Sequence, residues 1–424
     1  MNGPQFQTNI PNEDVTLYTG RLKFTVESIS FEGAGVVKLT WLPKPLLRFE
    51  LELGPTEQTL AWSGPGHLQL VDLGVEVERA AISMFHEAAG RPQLHGILLG
   101  GIPAFGQSEK LCSILFHVVG FWELWHQPLQ FECGDWVATL NNVPNIPNGG
   151  GVAARLQLEG GFGITHWGCL RRRDGVNFGA EAAQEFLKHV GLLLSFARGA
   201  WCIPMLLVGV GPDLQVQWRS WTPTRSDQYR QTIGWYDEHM KGQLDAILPG
   251  LHAKMLDPIW KEAVELAIHW YVESSSGVQN VESSVVLSQV ALERLACTHI
   301  VESRRGNRKC PKAKSIADQL RVLLTDTQIP TSVPIALHQA KSNAGTSSSL
   351  DGPATFVDMR NCIAHPRGAL LTMPHPSRRA AKDLGLWYLE LVLLFLFGYR
   401  GLYCNRLLDN SRGRTSEVVP WART

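Results

Sequence analysis

The spacing of hydrophobic positions changes character near Trp221. Before this residue, apolar and polar positions alternate. Leu47–Leu53 reads L-R-F-E-L-E-L, which predicts a strand with one buried face. Leu22–Phe31 alternates in part and predicts a second strand. Glycine and proline fall between such runs, as is typical of turns. We therefore expect residues 15–160 to form an antiparallel sandwich or barrel.

Residues 151–221 mix strand patterns with one helix. Glu181–Ala197 carries apolar residues at helical spacing and predicts an amphipathic helix. Three consecutive arginines, 171–173, favour a solvated turn over a phosphate contact. Strands are predicted at Arg155–Leu158, Phe162–Trp167, Leu206–Val210 and Leu214–Trp218.

After Trp221 the apolar residues recur at helical spacing. Pro258–Glu273 has Asp257 as a plausible N-cap and Pro258 at the first helical position. The other predicted helices are Tyr229–Leu248, Val281–Glu302, Lys312–Leu324 and Leu384–Tyr399.

The segment Leu384–Tyr399 is apolar nearly all round and includes Glu390. It is shorter than the ~20 apolar residues of a membrane span, and a carboxylate within a span is costly. A buried helix at the centre of a bundle or of a dimer interface is the better interpretation. Because one bundle would struggle to cover it, we expect Leu393 and Phe397 to face outward into a two-fold interface.

These patterns predict an α+β chain in which a β-rich N-terminal region precedes a C-terminal all-α bundle. The expected divisions are a β-rich domain at 1–150, its α+β continuation at 151–221, a helical connector at 222–254, a helical domain at 255–410 and a tail at 411–424.

Composition narrows the class of protein. The 424 residues, 44% hydrophobic and 18% charged, are typical of a globular chain with a real core. The formal net charge is zero, so any nucleic-acid site must depend on a local patch. The eight cysteines are scattered without a C-x-x-C pair, which favours a reducing cytosol. His166 and Cys169 could form a metal-ligand pair, but no second pair follows, so we predict ordinary packing and no metal. The start of the chain does not have the pattern of a signal peptide.

The stretch Phe356–Arg367 reads F-V-D-M-R-N-C-I-A-H-P-R and holds the candidate chemistry. Its apolar positions predict a helix with a buried stripe. The proline after His365 disfavours the helical conformation, so His365 is expected at the helix end or just past it. Its ring can then turn toward Arg360, and Asn361 lies one helical turn before it.

Arginine, asparagine and histidine together suit the cleavage of RNA. Arg360 is a permanent cation whose planar group suits phosphate, and His365 can exchange a proton near neutral pH. Asn361 can orient the ring or the substrate. A base that takes the ribose 2′-OH proton lets that oxygen attack the adjacent phosphorus while a cation stabilises the transition state, and no metal is required. The same spacing is also typical of a surface arginine and a capping histidine.

Two further features of the helical region are candidate parts of this site. Arg304–Lys314 is strongly basic and contains no acid, as in a solvated linker or a surface that steers RNA. Glu293 could pair with Arg360, and an exposed partner one turn along its own helix is the equal alternative. The candidate RNA-binding residues are Arg304, Arg305, Arg308, Lys309, Lys312 and Lys314.

The R-N-x-x-x-H form from Arg360 to His365, followed by proline in an all-helical tail, resembles the HEPN superfamily, whose ribonucleases carry an R-x4–6-H motif. The likeness extends to A-L-E-R-L at Ala291–Leu295 and to F-G-Y-R-G-L-Y at Phe397–Tyr403. Together these features are similar to the ApeA-like branch found in bacterial anti-phage defence. The resemblance covers roughly residues 255–410.

The resemblance implies a metal-independent endoribonuclease, with Arg360, Asn361 and His365 as catalytic residues and no cofactor. It also implies a homodimer through the helical domain, which would bring two motifs together in one groove. The N-terminal region would sense a phage-derived trigger and restrain the nuclease. We expect a cytoplasmic protein with RNA as substrate and no membrane contact.

Two other classes of function stay open. The helical domain could be a non-catalytic module that binds or senses nucleic acid, although binding alone would not need His365. It could also be the toxin of a toxin–antitoxin pair, although the large N-terminal region favours internal control.

Overall fold

The computed structural model describes residues 3–54, 65–88, 91–144, 151–276, 280–303, 315–333, 351–365, 375–408 and 415–422. The chain forms two compact units. The N-terminal unit comprises residues 1–130, 135–188 and 202–230, and the C-terminal unit comprises residues 131–134, 189–201 and 231–424. The fold class is α+β, with a β-rich N-terminal region and helices in the C-terminal part.

The N-terminal unit begins with a closed barrel in the strand order β1-β2-β3-β6-β5-β4. The barrel expected for residues 15–160 is confirmed in part: residues 15–98 form it, and the later strands of that range belong to a separate sheet. The strand predicted at Leu47–Leu53 is confirmed as β3. The barrel strands are β1 (Val15–Val26), β2 (Ile29–Thr40), β3 (Leu46–Glu52), β4 (Pro65–Leu70), β5 (Val75–Ala88) and β6 (Arg91–Leu98).

The single strand predicted at Leu22–Phe31 is wrong, because the chain turns at Glu27 to form the β1–β2 hairpin. Phe24 and Phe31 are cross-strand partners in that hairpin, and both are buried. On one straight strand they would point to opposite faces, since side chains alternate with a period of two. The turn lets both aromatic rings be buried.

A seven-stranded sheet follows in the order β7-β13-β12-β8-β11-β10-β9. Its strands are β7 (Phe105–Gly106), β8 (Ser113–Val119), β9 (Leu129–Cys133), β10 (Trp136–Asn142), β11 (Ile164–Arg172), β12 (Met205–Val210) and β13 (Val216–Ser220). The helix predicted at Glu181–Ala197 is confirmed as α2 (Ala180–Arg198), which begins in the N-terminal unit and ends in the C-terminal unit.

The strand predicted at Arg155–Leu158 is wrong, because this segment belongs to the helix α1 (Val152–Glu159). Val152 and Leu156, four residues apart, are its buried residues, whereas Leu158 is 87% exposed. The apparent alternation of Leu156 and Leu158 is therefore not a buried strand face. A single covered helical face explains the burial.

Buried histidines lie in the sheet of the N-terminal unit. His117 on β8 accepts a hydrogen bond at Nε2 from the backbone N–H of Phe6, at 3.1 Å, and its Nδ1 lies 3.2 Å from the carbonyl oxygen of Leu206. Since a carbonyl only accepts, Nδ1 carries the proton and the ring is neutral. Burial lowers the pKa of His117 to about 4, and burial lowers the pKa of His166 on β11 to about 3.

In its described residues, the C-terminal unit is built from helices and a two-stranded sheet. Its helices are α3 (Gln243–Leu256), α4 (Lys261–Ser275), α5 (Val281–Ser303), α6 (Ile316–Asp326), α7 (Gly352–Ala364) and α8 (His375–Leu396). The expected all-α composition is wrong in one respect, because β14 (Leu402–Cys404) pairs with β15 (Ser416–Val418) in an antiparallel sheet.

The helices predicted at Tyr229–Leu248 and Pro258–Glu273 both begin later than expected. The helix predicted at Tyr229–Leu248 begins only at Gln243, because Trp235 is buried by an irregular segment and donates its indole N–H to the Phe196 carbonyl. Asp257 ends α3, and its carboxylate accepts from the N–H of Ile259 in the turn before α4. Asp257 therefore caps a turn rather than α4 itself.

The apolar helix α8 lies at the centre of the C-terminal unit. Leu393 and Phe397 are 0% and 2% exposed within this one chain, so the expectation that they face outward is wrong. The unit covers the helix because α3, α4, α5 and α7 all pack against it. The apolar surface of α8 therefore gives no reason for a dimer, and the dimer stays a prediction that depends on the resemblance.

Among the described helices, α5 is long and apolar enough to cross a membrane by length and composition alone. More than half of its most apolar stretch is buried inside the fold. This is weak evidence for a membrane span, because core helices pass the same test.

A buried ion pair fixes the segment that follows α8. Glu390, fully buried on α8, accepts two hydrogen bonds from the guanidinium of Arg406, at 2.5 and 3.0 Å. Its Oε1 also accepts from the hydroxyl of Tyr271, at 2.7 Å. Arg406 donates a further bond to the carbonyl of Ile233. The carboxylate that argues against a membrane span is thus neutralised inside the protein.

We expect Arg406→Met to lower the free energy of unfolding by about 3–5 kcal/mol, because it leaves a buried carboxylate without its cation. Arg294→Met is the matched control, since Arg294 makes an exposed pair with Glu262 that should contribute less than about 1 kcal/mol. Urea unfolding of both variants measures the difference. Equal midpoints for Arg406→Met and the wild type would contradict the role given to this pair.

We expect the N-terminal unit to lose stability as pH falls from about 6.5 toward 4. In this window the unfolded chain binds a proton on His117 that the folded chain excludes. The shift corresponds to a loss on the order of 3 kcal/mol. His117→Gln should reduce the dependence of the urea midpoint on pH without abolishing it, because the buried His166 contributes in the same window, whereas the exposed His67→Gln should leave it unchanged. An unchanged slope in His117→Gln would show that His117 is not the titrating group.

Candidate active site

The motif helix α7 is defined by caps at both ends. At its start, the Asp351 carboxylate accepts the N–H of Ala354 at 3.0 Å, and Pro353 occupies the first turn. At its end, His365 has left the helical conformation, with φ −134° and ψ 74°, and its N–H reaches the carbonyl of Asn361 at 2.8 Å. The prediction that His365 lies just past the helix is confirmed.

Asn361 contacts both of the other candidate catalytic residues. Its side-chain Oδ1 accepts from Nη1 of Arg360 at 3.2 Å, and its backbone carbonyl holds the N–H of His365. Arg360 and Asn361 are half-buried, whereas His365 is exposed. Asn361 therefore orients the guanidinium rather than the imidazole ring.

Arg360 is a cation without an acidic partner. Within the described part of the chain, no carboxylate lies within 4 Å of its guanidinium, and its buried Nε donates to no acceptor. Its charge is therefore available to an external anion. Four other arginines of this unit are paired with acids: Arg294 with Glu262, Arg321 with Asp351, Arg378 with Glu282 and Arg406 with Glu390.

The direction of α7 follows from its contacts with α8. A Cβ at Gly385 would lie 2.6 Å from the ring of Phe356, and a Cβ at Gly352 would lie 1.9 Å from the hydroxyl of Tyr388. Later positions on α7 thus meet earlier positions on α8. The ten-residue connection between the two helices agrees with antiparallel neighbours. The exposed end of α7 at His365 also agrees, since α8 is exposed only near its own start.

Antiparallel packing separates Arg360 from Glu293. A Cβ at Gly385 would also meet Ser288 of α5, so Phe356 and Ser288 lie at one level. Arg360 lies about 6 Å from that level toward the start of α8. Because Glu282 contacts Arg378 and Ser288 lies at Gly385, α5 runs parallel to α8, so Glu293 lies about 7.5 Å the other way. Glu293 instead accepts from Gln289, at 2.6 Å, one turn back on its own helix. Glu293 therefore does not pair with Arg360. It pairs with a residue one turn away on its own helix, which was the alternative prediction.

The remaining site predictions fall in two places. The basic stretch Arg304–Lys314, with all six candidate RNA-binding residues, lies outside the described residues. His166 and Cys169 are three residues apart on β11, so their side chains point to opposite faces of the sheet and cannot share a metal. No group of three or more potential metal ligands occurs in the described ranges.

Sequence reasoning missed the residue that holds the start of α7. Arg321 on α6 donates two bonds to the Asp351 carboxylate, at 2.6 and 3.1 Å. This bond from Arg321 lowers the pKa of Asp351, which keeps the cap ionised. The N-cap itself was readable from D-G-P at Asp351, whereas no local signal identifies Arg321 as its partner.

Comparisons with known proteins place a boundary near residue 231, where the second compact unit takes over the rest of the chain. Residues 108–232 match the family described as the YopA central domain, and residues 257–417 match the YopA C-terminal domain. The chain is 28% identical over 435 residues to the "SPbeta prophage-derived uncharacterized protein YopA" of Bacillus subtilis (strain 168). That comparison covers 97% of this chain and 95% of the relative. No solved structure matches. The motif helix α7 therefore lies in the segment similar to the YopA C-terminal domain.

Proposed function

We propose that the chain is a metal-independent endoribonuclease of the HEPN type whose active site is the exposed end of α7. The observation that carries the proposal is Arg360, a half-buried cation that Asn361 orients and no acid among the described residues neutralises, five residues before the exposed His365. The four paired arginines of this unit, by contrast, each contact a carboxylate of another element.

The proposed reaction uses the substrate's own nucleophile. His365 takes the proton of a ribose 2′-OH, and that oxygen attacks the adjacent phosphorus. Arg360 stabilises the negative charge that accumulates on the phosphoryl oxygens. The bond to the 5′ oxygen breaks, that oxygen takes up a proton, and a 2′,3′-cyclic phosphate and a 5′-hydroxyl result. One proton is removed and one is returned, so the step is balanced.

The biological setting of the proposal comes from two sources. The resemblance implies anti-phage defence in the cytoplasm, with the N-terminal unit sensing a phage-derived trigger. The similar Bacillus protein is described as prophage-derived, which fits a gene that travels with phages. A restraint on the nuclease is physically necessary, because unrestrained RNA cleavage would damage the cell that makes the protein.

We expect Arg360→Ala and His365→Ala each to abolish RNA cleavage and leave folding intact, because both side chains lie at a helix end outside the core. Matched controls are Arg294→Ala and His299→Ala, whose side chains pair with Glu262 and Asp326 on the same unit. Labelled RNA and gel analysis measure cleavage, and circular dichroism checks folding. Cleavage at the wild-type rate by either motif variant would refute the mechanism.

The same assay tests whether a metal takes part. Cleavage by the wild-type protein should survive EDTA, since the proposed chemistry requires only a base and a cation. Loss of activity in EDTA that magnesium or zinc restores would assign the reaction to a metal instead.

We also predict a homodimer, because the resemblance implies that two motifs share one groove. Sedimentation of the wild-type protein should give twice the 47.0 kDa of one chain. The buried positions of Leu393 and Phe397 make them unsuitable as interface probes, so the mass of the unmodified protein is the test. If the protein is a monomer and still cuts RNA, the assignment of the catalytic residues stands and the prediction of a shared groove is wrong.

A further inference from the structure

A buried hydroxyl on α8 lies against the first residue of the motif helix. Tyr388 is fully buried, and among the described residues its hydroxyl has no hydrogen-bond partner. A Cβ built on Gly352 would lie 1.9 Å from this oxygen. The hydroxyl is therefore directed at the start of α7, one residue after the Asp351 cap.

This arrangement costs stability in two ways. A buried hydroxyl that makes no hydrogen bond has given up water without replacement, which a phenylalanine at the same position would avoid. The oxygen also leaves no room for a side chain at Gly352, whose backbone is not left-handed, so that space alone requires glycine there. Glycine is a poor helix former. A polar group that is costly in one arrangement of a protein calls for a use in another.

Asp351 can accept the hydrogen bond that this hydroxyl lacks. Burial first, and then the charge of Asp351, raise the pKa of Tyr388, so the hydroxyl stays protonated and is a donor. A carboxylate offers about four acceptor positions. In the described residues Asp351 uses three of them, two for Arg321 and one for the N–H of Ala354. One position is therefore left for Tyr388.

A displacement at the start of α7 reaches the candidate catalytic residues. Arg360 lies eight residues after Gly352 on the same continuous helix, about 12 Å away along its axis. His365 follows at the exposed end of that helix. Shifts of about 1–2 Å between packed helices are a common form of switching. Drawing Asp351 toward Tyr388 would therefore move Arg360 and His365 together relative to α8.

We propose that Tyr388 is a positioning residue for RNA cleavage, which donates to Asp351 when the site is assembled for the reaction. The structure then represents the position of α7 in which this bond is open. The inference rests on the proposed function, because it concerns the same site, and it adds a second position of the motif helix. Since Tyr388 is fully buried, it acts through α7 and not on the RNA itself.

The first measurement is urea unfolding of the full-length chain with Tyr388→Phe, which removes only the hydroxyl. The midpoint should equal or exceed that of the wild type, because the open position loses no hydrogen bond. Tyr271→Phe is the matched control, since the same change on α4 removes the bond to Glu390 and should lower the midpoint. A lower midpoint for Tyr388→Phe than for the wild type would show that the hydroxyl is already bonded, and would overturn the inference.

The second measurement is RNA cleavage by the same variants. Tyr388→Phe should lower kcat by about tenfold, as for the loss of one hydrogen bond to a charged group, and leave the KM for RNA unchanged. Asp351→Ser keeps a capping residue but removes the carboxylate, so it should also lower kcat. The double variant should be no slower than Asp351→Ser alone, because both changes remove one bond. Tyr271→Phe should cut at the wild-type rate.

The outcomes separate this inference from the proposed function. If the wild-type protein cuts RNA and Tyr388→Phe cuts it equally fast, the positioning role is refuted and the nuclease stands. If the losses in Tyr388→Phe and Asp351→Ser multiply in the double variant, Asp351 is not the acceptor, and the inference is again refuted while the nuclease stands. If the wild-type protein never cuts RNA, the proposed function is refuted, and the positioning role is refuted with it.

Discussion

A carboxylate lies at the centre of the C-terminal unit, and the unit depends on its neutralisation. Glu390 is surrounded by the apolar residues of α8 and has no solvent contact. Its charge is tolerated because Arg406 and Tyr271 donate to it from outside α8. An unpaired charge at this position would be expensive. The segment after α8 is therefore held against the helix by this ion pair together with its own buried residues, which include Tyr403 and Trp421.

Two glycines allow the C-terminal unit to pack closely around α8. A Cβ at Gly250 would lie 1.9 Å from the carbonyl oxygen of Phe397, and one at Gly385 would overlap Phe356 of α7. These two glycines let α3 and α7 approach α8 more closely than any side chain would allow. Close packing on both sides covers the apolar surface with residues of the same chain.

The candidate site lies where this packing ends. Burial along α7 decreases from Phe356 to His365, and burial along α8 decreases toward Arg379. Among the described residues, Arg360 at this end has no carboxylate within 4 Å, whereas Arg294, Arg321 and Arg406 each have one. In the proposed function, stability and phosphate binding use the same residue type differently. A paired arginine joins two elements, and an unpaired arginine leaves a charge for a ligand.

The sequence by itself determined what depends on neighbouring residues along the chain. It predicted β3, α2 and α5 from their spacing, and it placed His365 past the end of α7 because a proline follows. The tertiary structure decided which faces are covered and which charges meet. Leu158 is exposed, Leu393 is buried, and Arg360 has no acidic partner in the described part of the chain, because each outcome depends on residues distant in sequence. Spacing can establish that Glu293 and Arg360 are on helices, but only the antiparallel course of α7 separates them.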